Sequence, residues 1–483
     1  MDELGFVGAR ELVRRIRRRE LSSVELVEHF LGRIQRLNPA LNAVVTLDVD
    51  GARAAARRAD EAAARGAWSG PLHGVPMTLK DAFEVAGVRT TCGANLYREH
   101  VPAADSIVAQ RLRAAGAIFL GKTNVPAFCA DAQTYNAIFG TTNNPWDVSR
   151  TPGGSSGGAA AAVAAGLTPI EVGSDIAGSI RNPAHFCGVF GHKPTHGIIP
   201  ARGHIPPAPG ARSDHDLGVM GPFARCADDL ALLMDVLAGP APDSARAYTL
   251  QLPAARSQEL RGYRVAALLD DASFPVDDAT RACLERALDA LRAHGVNVRE
   301  DKPALVLSEV YANYRQLLDP VMGQGLPAKQ VSRLEALNAA PPDVPPPMVA
   351  FARNALLRHR DWLTANERRA QERARWEQFF ETYDVLLTPV TITTAFPHDH
   401  SSPQPLRKLR VDGAERCYDD LYAWVSLATS ALLPATVVPV GRTPSGLPVG
   451  MQIIGPYLED RTPIDFAARL EAVLGGFQAP PGY

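Results

Sequence analysis

The stretch that decides the fold is residues 151–181, TPGGSSGGAAAAVAAGLTPIEVGSDIAGSIR. Its glycine/serine loop leads into an alanine-rich helix, 159–165, and a strand at 168–172 then runs into a glycine-rich turn. A helix and the strand that follows it run antiparallel in an α/β layer, so the start of this helix and the end of this strand lie at one edge. Ser155 and Ser179 are therefore expected at the same edge of a sheet.

Strands and helices alternate on both sides of this stretch. Val75, Met77 and Leu79 alternate as a short strand that ends just before Lys80, and residues 264–298 have a strand–helix–strand pattern. Further strands are predicted at 118–120, 385–387, 436–440 and 449–454. The alternation predicts an α/β fold with a large mixed, mainly parallel central sheet that is covered by helices on both faces.

Residues 300–350 are expected to be irregular, with prolines concentrated toward 341–347, and a long charged helix is expected over 350–382. Long loops without secondary structure are usually either functional or disordered. This segment is therefore expected to be an insertion over a site.

The composition excludes several classes of protein. The 483-residue chain has 46% hydrophobic and 21% charged residues and a formal net charge of −2, so it lacks the basic excess of a nucleic-acid-binding protein. No apolar run approaches the about 18 residues of a membrane span, and the N-terminus lacks a basic stretch followed by an apolar one. Six scattered cysteines without a C-x-x-C pair favour reduced thiols and offer no zinc site. We therefore expect a cytoplasmic protein with no nucleic-acid or membrane partner.

Lysine is rare in the chain, with six lysines against 44 arginines. Arginine cannot deprotonate, whereas a desolvated lysine can become a neutral base, so a rare lysine marks a place where arginine would not serve. The alternative for any single lysine is a surface position. Lys80 lies at the carboxyl end of its strand, where sites form in open α/β sheets. If that strand and 168–172 are parallel neighbours, Lys80 converges with Ser155 and Ser179 and could accept a proton through one serine from the other.

Three interpretations of the loop 151–158 compete. A flexible linker would not run directly into a helix and a strand, and the Walker A pattern of a phosphate loop is absent. The third interpretation is a nucleophile elbow, because the loop matches G-x-S-x-G around Ser155. An elbow serine should follow a buried strand, however, and the last histidines, His398 and His400, lie in a polar stretch. A Ser-His-Asp esterase that uses Ser155 stays open as an alternative.

The second glycine-rich segment, Gly173–Arg181, places small residues before a serine. Such residues let consecutive backbone N–H groups turn toward one point, as an oxyanion hole requires. An ordinary strand-to-helix turn has a similar composition, so this segment alone does not decide between the two.

Together these segments resemble the amidase signature family, and the resemblance covers almost the whole chain. Its motifs are Gly74–Asp81 (GVPMTLKD), Gly153–Gly158, Gly173–Thr195, Gly221–Arg225 (GPFAR), Leu433–Ala435 and Gly446–Pro456 (GLPVGMQIIGP). The resemblance is weakest across 240–375, where substrate specificity usually lies in this family. It implies one amidase domain over 1–483. The domain comprises N-terminal helices, a signature core, a variable substrate-covering region and a C-terminal return to the sheet, at 1–65, 66–240, 241–415 and 416–483.

The resemblance implies a Ser–cis-Ser–Lys triad. Ser179 matches the nucleophile that forms an acyl-enzyme, Ser155 matches the bridging serine held by a non-proline cis peptide, and Lys80 matches the general base. Cys129 falls where the family lines the acyl pocket with backbone. The oxyanion hole matches the backbone N–H groups of Ile176, Ala177, Gly178 and Ser179.

Two positions depart from the family pattern. Ala177 stands where glycine is frequent, so the oxyanion loop must tolerate a Cβ atom, and His192 stands where leucine is frequent. Neither position belongs to the triad. Asp175 and Arg181 look like structural supports of the Ser179 loop.

The resemblance implies hydrolysis of a carboxamide C–N bond through a Ser179 acyl-enzyme, and cleavage of esters, anilides or carbamates is compatible with the same groups. The implied partner is a small-molecule amide, with no metal or organic cofactor, and a homodimer is one expected assembly because the family often dimerises. Two further alternatives stay open. The chain could be the glutaminase subunit of a tRNA-dependent amidotransferase, or a catalytically silent binding protein on an amidase scaffold.

Overall fold

The computed structural model describes residues 2–339 and 343–483, so the first two residues of the proline-rich segment 341–347 lie outside the described residues. Its helices are α1 (Ala9–Arg17), α2 (Ser23–Leu41), α3 (Val49–Ala64), α4 (Ile107–Ala114), α5 (Gly157–Ala164), α6 (Arg181–Cys187), α7 (Ala227–Leu237), α8 (Asp278–Ala293), α9 (Leu307–Met322), α10 (Ala328–Asn338), α11 (Pro346–Ala355), α12 (His359–Thr382), α13 (Ala423–Ser430) and α14 (Arg461–Leu474). None of these helices has the length and apolar character that crossing a membrane requires.

The strands form two main sheets and two short hairpins. They are β1 (Val44–Leu47), β2 (Pro76–Lys80), β3 (Ile118–Thr123), β4 (Tyr135–Asn136), β5 (Gly140–Thr141), β6 (Glu171–Asp175), β7 (Phe190–Lys193), β8 (Val219–Ala224), β9 (Val265–Ala267), β10 (Val298–Glu300), β11 (Val385–Pro389), β12 (Lys408–Val411), β13 (Ala414–Cys417), β14 (Ala435–Arg442) and β15 (Pro448–Ile454). The large sheet has eight strands in the order β10-β9-β11-β15-β14-β7-β8-β6, and the smaller sheet has the order β1-β3-β2.

The large sheet is mixed and lies in an α/β fold, as predicted, but its strands do not run mainly parallel. Strand β9 pairs in parallel with β10 and β11. Every neighbouring pair from β11 to β6 is antiparallel. Of these antiparallel pairs, β14–β15 is joined by the turn 443–447, and a tight turn can join only antiparallel strands.

Strands β2 and β6 are not parallel neighbours in one sheet, because β2 pairs with β3 in the smaller sheet. Side chains join the two sheets instead. The Thr78 N–H donates to Thr168 Oγ1 at 3.1 Å, and the Thr78 hydroxyl donates to the Glu171 carboxyl group. These three residues are completely buried. Lys80, at the end of β2, also lies 2.9 Å from the Ser174 hydroxyl near the end of β6, so the carboxyl ends of the two strands still lie close together, as the sequence argument required.

Helix α5 is buried along its whole length and consists of glycine, alanine and one valine. It contacts strands of both main sheets. A Cβ atom at Gly158 would lie 2.4 Å from the backbone nitrogen of Asn124, and one at Gly157 would lie 2.3 Å from Thr134 Oγ1. Contacts this short exclude a side chain, so glycine is what allows the N-terminus of α5 to approach its neighbours.

Residues 300–350 are not irregular, contrary to the prediction, because α9, α10 and α11 occupy most of the described part of this segment. The long charged helix is α12, and it begins only at His359. Prolines caused the error: Pro346 lies in the first turn of α11 and Pro320 in the last turn of α9. Proline is well suited to the first turn of a helix, because the missing N–H has no partner there.

Candidate active site

Lys80 is the last residue of β2, and its side chain is completely buried. Its Nζ lies 2.7 Å from Ser155 Oγ, 2.8 Å from Ser156 Oγ and 2.9 Å from Ser174 Oγ. Burial lowers the pKa of the Lys80 amine, because water no longer solvates the charged form. The fold thus places three hydroxyl groups around an amine that is shifted toward its neutral state.

Ser155 and Ser156 lie at the N-terminus of α5, and both are buried. The Gly154–Ser155 peptide bond is cis, as the resemblance implies. Gly154 leaves no room for a side chain, since a Cβ atom there would lie 2.5 Å from the Asp131 carbonyl oxygen. The Ser156 N–H donates to the Ser179 carbonyl oxygen at 3.2 Å, which connects this loop to the second serine loop.

Ser179 lies in a tight loop after β6, and its side chain is 7% exposed. Asp175 shapes the loop, because its carboxylate accepts the N–H of Gly178 at 2.9 Å and the N–H of Ile180 at 3.0 Å. Gly178 has a φ of 84°, a conformation that favours glycine. The loop therefore has one defined shape in which Ser179 faces a cavity.

The Asp175–Arg181 ion pair connects this loop to helix α13 and strand β15. Both side chains are completely buried, with 2.8 Å between Arg181 Nη2 and Asp175 Oδ1. Burial alone would raise the pKa of Asp175, but the charge and hydrogen bonds of Arg181 hold it at about 2. The same guanidinium donates to the Val425 carbonyl oxygen at 2.7 Å and to Gln452 Oε1 at 2.8 Å. Asp175 and Arg181 thus have the supporting position that the resemblance implies.

The expected oxyanion segment offers three free amides rather than four. The Gly178 N–H is used by Asp175, whereas no acceptor in 2–339 or 343–483 receives the N–H of Ile176, Ala177 or Ser179. The Tyr314 hydroxyl donates to the Ile176 carbonyl oxygen at 2.8 Å and so fixes that peptide unit.

Two cavities meet at Ser179. The cavity beneath α9 and α11, here called the Arg315 cavity, has a volume of about 240 Å³, with Leu318 and Phe351 in its wall. The other, here called the His204 cavity, has about 400 Å³, with Tyr97 and Met220 in its wall. Cys129, Ala130, Ile176, Ser179 and Met322 line both cavities. A ligand bound at Ser179 can therefore extend in two directions.

The arginine in the wall of the Arg315 cavity is already paired. Arg315 lies 3.0 Å from Asp319 and 2.6 Å from Asp419. Asp131, in the same wall, accepts hydrogen bonds from Arg407 at 2.7 Å and from the Tyr418 hydroxyl at 2.6 Å. The charged groups of this wall are thus all paired, and Arg315 offers no free positive charge to a ligand.

Cys129 is half-buried and has a positive φ of 56°. Its Sγ lies 3.8 Å from Cys92 Sγ. Burial raises the pKa of Cys92 well above its usual range, and the Cys92 thiol donates its hydrogen to the Ile205 carbonyl oxygen at 3.1 Å. Cys129 lines the cavities, and its thiol also borders Lys80 and Ser155.

The histidines of the elbow interpretation do not contact Ser155. His400 stacks on Tyr135 with ring centroids 3.7 Å apart, and the backbone N–H of His398 donates to the Ser149 carbonyl oxygen at 3.4 Å. The amine that lies within hydrogen-bond distance of Ser155 Oγ is that of Lys80, at 2.7 Å. The geometry therefore favours a lysine-based relay over a Ser-His-Asp triad.

Sequence reasoning missed Ser156, Ser174 and His204. Ser156 and Ser174 lie inside the two motifs that carry the resemblance, so their proximity to Ser155 and Ser179 was the available signal. His204 Nε2 lies 2.9 Å from Ser174 Oγ. No local pattern singles out this histidine, because the fold alone brings it to the serine.

The model of the family described as Amidase matches residues 25–463 of the chain. The chain is 35% identical over 481 residues to a glutamyl-tRNA(Gln) amidotransferase subunit from Roseiflexus sp. (strain RS-1), and the match covers 96% of this chain and 94% of that protein.

Two solved structures resemble the chain over nearly its whole length. One comes from work on a vestigial protein complex and the origins of an s-triazine catabolic enzyme; its TM-score is 0.81 at 29% identity, covering 98% of this chain and 100% of that one. The other is a bacterial aryl acylamidase of the amidase signature enzymes, with a TM-score of 0.80 at 25% identity, covering 97% of this chain and 96% of that one.

Proposed function

Because the chain belongs to the amidase family and is a hydrolase of carbon–nitrogen bonds in amides, we propose that it cleaves a small carboxamide through an acyl-enzyme on Ser179. One observation carries the proposal: buried Lys80 lies 2.7 Å from Ser155 Oγ, directly beside the Ser179 loop. A serine hydroxyl needs a base to become a nucleophile, and a desolvated lysine supplies one.

In the proposed acylation step, uncharged Lys80 accepts the proton of Ser155 while Ser155 accepts that of Ser179, whose oxygen bonds to the carbonyl carbon. The N–H groups of Ile176, Ala177 and Ser179 stabilise the charge that forms on the carbonyl oxygen. One such donor typically contributes about 10²–10³ in rate. The relay then runs in reverse, so the leaving amine receives the proton and departs, and water hydrolyses the remaining ester.

The two cavities indicate a substrate with a group on each side of the carbonyl carbon. The side chains around Ser179 are mostly apolar, and the cation of the Arg315 cavity is paired with two carboxylates, Asp319 and Asp419, so it offers no free positive charge. We propose that one cavity holds the acyl group and the other the amine, with apolar or aromatic groups favoured in the larger His204 cavity.

The test is a panel of amides, anilides, esters and carbamates, assayed with the wild type, Ser179→Ala and the exposed control Ser445→Ala. The wild type and the control should hydrolyse the same compounds, and Ser179→Ala should lose about 10³ or more in kcat/KM. If Ser179→Ala retained more than about a tenth of wild-type kcat/KM, the nucleophile assignment would be wrong.

A second candidate is the glutaminase subunit of a tRNA-dependent amidotransferase. The names of the curated relatives support it more directly than they support a stand-alone amidase, since the 35% identical Roseiflexus protein is an amidotransferase subunit. Two measurements discriminate: ammonia release from glutamine by the isolated chain, and its co-purification with the other subunits of such an amidotransferase. Glutaminase activity that appears only with those subunits would favour this candidate, whereas turnover of other amides by the isolated chain would favour the first.

A catalytically silent binding protein is tested by labelling with a fluorophosphonate. We expect the probe to label the wild type and not Ser179→Ala, because a probe of this kind reacts only with an activated serine. An unlabelled wild type would favour the silent scaffold.

We also propose that the reaction takes place in the cytoplasm. All six cysteines are free thiols, which is typical of proteins in a reducing compartment.

A further inference from the structure

A chain of hydrogen bonds leads from Lys80 to a histidine that the proposed relay does not use. Lys80 Nζ lies 2.9 Å from Ser174 Oγ, and Ser174 Oγ lies 2.9 Å from His204 Nε2. His204 is 6% exposed. The Phe83 ring meets the imidazole edge to face, with centroids 5.1 Å apart, so the ring orientation is set by packing as well as by hydrogen bonds.

The surroundings of His204 fix its tautomer. Its Nδ1 lies 3.2 Å from the Pro206 carbonyl oxygen, which can only accept, so Nδ1 carries the hydrogen. Burial lowers the pKa of His204 well below its usual range, so the ring is neutral and Nε2 is an acceptor. The Ser174 hydroxyl must therefore donate its hydrogen to His204, and its oxygen is left to accept one from Lys80.

Ser156 is committed in the same way. Its hydroxyl donates to the Ser174 carbonyl oxygen at 3.3 Å, so Ser156 Oγ also accepts from Lys80. A neutral amine has two N–H donors and one lone pair. The Ser174 carbonyl oxygen is a more distant acceptor, at 3.5 Å from Nζ. If the Ser156 and Ser174 hydroxyls take the two N–H donors, the lone pair is left to face Ser155 Oγ, the nearest of the hydroxyl oxygens at 2.7 Å.

We propose that His204 is a positioning residue that aims the lone pair of Lys80 at Ser155 by holding the Ser174 hydroxyl as its own donor. This inference rests on the proposed function, because it assigns a purpose to the direction of one proton transfer in that relay. Without an acceptor at position 204, the Ser174 hydroxyl turns back and donates to the Lys80 lone pair. Ser174 then competes with Ser155 for the base.

The experiment measures the rate at which a small fluorophosphonate inactivates the enzyme, so no substrate need be known. In His204→Phe, which keeps a ring but has no acceptor, the rate should fall about 10- to 100-fold, which is part of the about 10²–10⁴-fold that positioned proton transfer contributes, because Lys80 itself is still present. In His204→Gln, the side-chain carbonyl oxygen can replace Nε2 as acceptor, so the rate should stay within about threefold of wild type. A role in packing alone predicts no rescue by Gln.

A double-mutant cycle tests whether His204 acts through Ser174. Ser174→Ala removes the hydroxyl that His204 holds, so Ser174→Ala/His204→Phe should be inactivated no more slowly than Ser174→Ala. The matched control is His73→Phe, which replaces another buried histidine whose ring is bonded to Ala59 and Ser69. This control should react at the wild-type rate, and thermal unfolding curves should confirm that each variant is folded.

The outcomes separate this inference from the function on which it rests. If the wild type is not labelled, or if Ser179→Ala is labelled equally well, the proposed function fails. Two outcomes would show that the assignment of His204 is wrong although labelling depends on Ser179. In the first, folded His204→Phe reacts at the wild-type rate. In the second, the rate losses of His204→Phe and Ser174→Ala multiply in the double variant. If His204→Phe does not fold, the slow reaction of a folded His204→Gln would overturn the assignment equally well.

Discussion

At the level of single residues, the candidate site is defined by which groups donate and which accept the hydrogen bonds around the Lys80 amine. Ser155, Ser156 and Ser174 all lie within 2.9 Å of Lys80 Nζ. A protonated lysine would donate to all three hydroxyls and have nothing with which to accept a proton. The site therefore needs a side chain that can exist uncharged when buried, and lysine meets this need whereas arginine does not.

We expect Lys80→Arg to lose about 10³ or more in kcat/KM, because guanidinium stays charged at any accessible pH and cannot serve as the base. The exposed control Lys302→Arg should keep full activity.

In the wild type, activity should be present above the lowered pKa of Lys80 and be lost as the pH falls through it, since protonation removes the lone pair. A pH–rate profile that stays flat down to pH 5 would contradict a neutral-lysine base.

The sequence was sufficient to predict Lys80, Ser155 and Ser179 as a group, because each lies in a motif at the end of an element. It was not sufficient for His204, whose contact with Ser174 depends on the path of the whole chain between the two residues. It was also insufficient for the Gly178 amide, which the resemblance includes in the oxyanion hole but which Asp175 occupies. Hydrogen-bond direction is a property of the assembled site rather than of a motif.

Among the elements, α9 does most to shape the space over Ser179. Its Tyr314 holds the Ile176 carbonyl, Arg315 pairs with Asp319 of the same helix, and Met322 at its C-terminus lines both cavities. The helix was missed in the sequence because prolines indicate irregular structure when their place within a turn is unknown. The expectation that this segment lies over a site stays a prediction, which Leu318 and Met322 support because they line the cavities at Ser179.

We expect Met322→Trp to narrow both cavities and to discriminate by substrate size. For bulky amides kcat/KM should fall about tenfold or more, because pocket contacts of this kind distinguish substrates by a few kcal/mol, whereas the smallest amides should be nearly unaffected. Leu363→Trp, on the exposed face of α12, serves as the control. Equal losses for small and large substrates would argue against Met322 as part of the binding wall.

At the level of the whole molecule, the site lies where two sheets meet. Glu171 of β6 accepts a hydrogen bond from Thr78 of β2, so a single buried carboxyl group helps to join them. The α/β class was predictable from the alternation of elements, but the division into two sheets was not. Alternation gives the order of strands along the chain, whereas pairing depends on contacts between distant segments.

Burial raises the pKa of Glu171 to about 8, so the carboxyl group is mostly protonated at neutral pH. Its unfolded pKa is near 4.5, so the stabilising contribution of the raised pKa is complete below that value and is lost as the pH rises toward 8. Glu171→Gln is always neutral. We therefore expect the free energy of unfolding of Glu171→Gln, relative to that of the wild type, to increase by about 1 kcal/mol for each pH unit between pH 5 and 8.

Urea titrations at several pH values give this difference, with exposed Glu335→Gln as the control. A Glu171→Gln variant that is less stable than the wild type by the same margin at every pH would show that the carboxyl group is not protonated in the folded state.

The burial of α5 means that substitutions are tolerated differently in two parts of the protein, the buried helix beside the candidate serines and the helices that cover the cavities. A methyl group added at Gly157 or Gly158 of this helix has no space to enter, because Thr134 and Asn124 lie within 2.4 Å of where it would stand. The helices α9 to α11 line the two cavities from outside and carry none of the candidate serines Ser155, Ser156, Ser174 and Ser179. Substitutions in α9 to α11 can therefore alter which ligands the cavities accept, while Lys80 and the serines beside α5 stay the same.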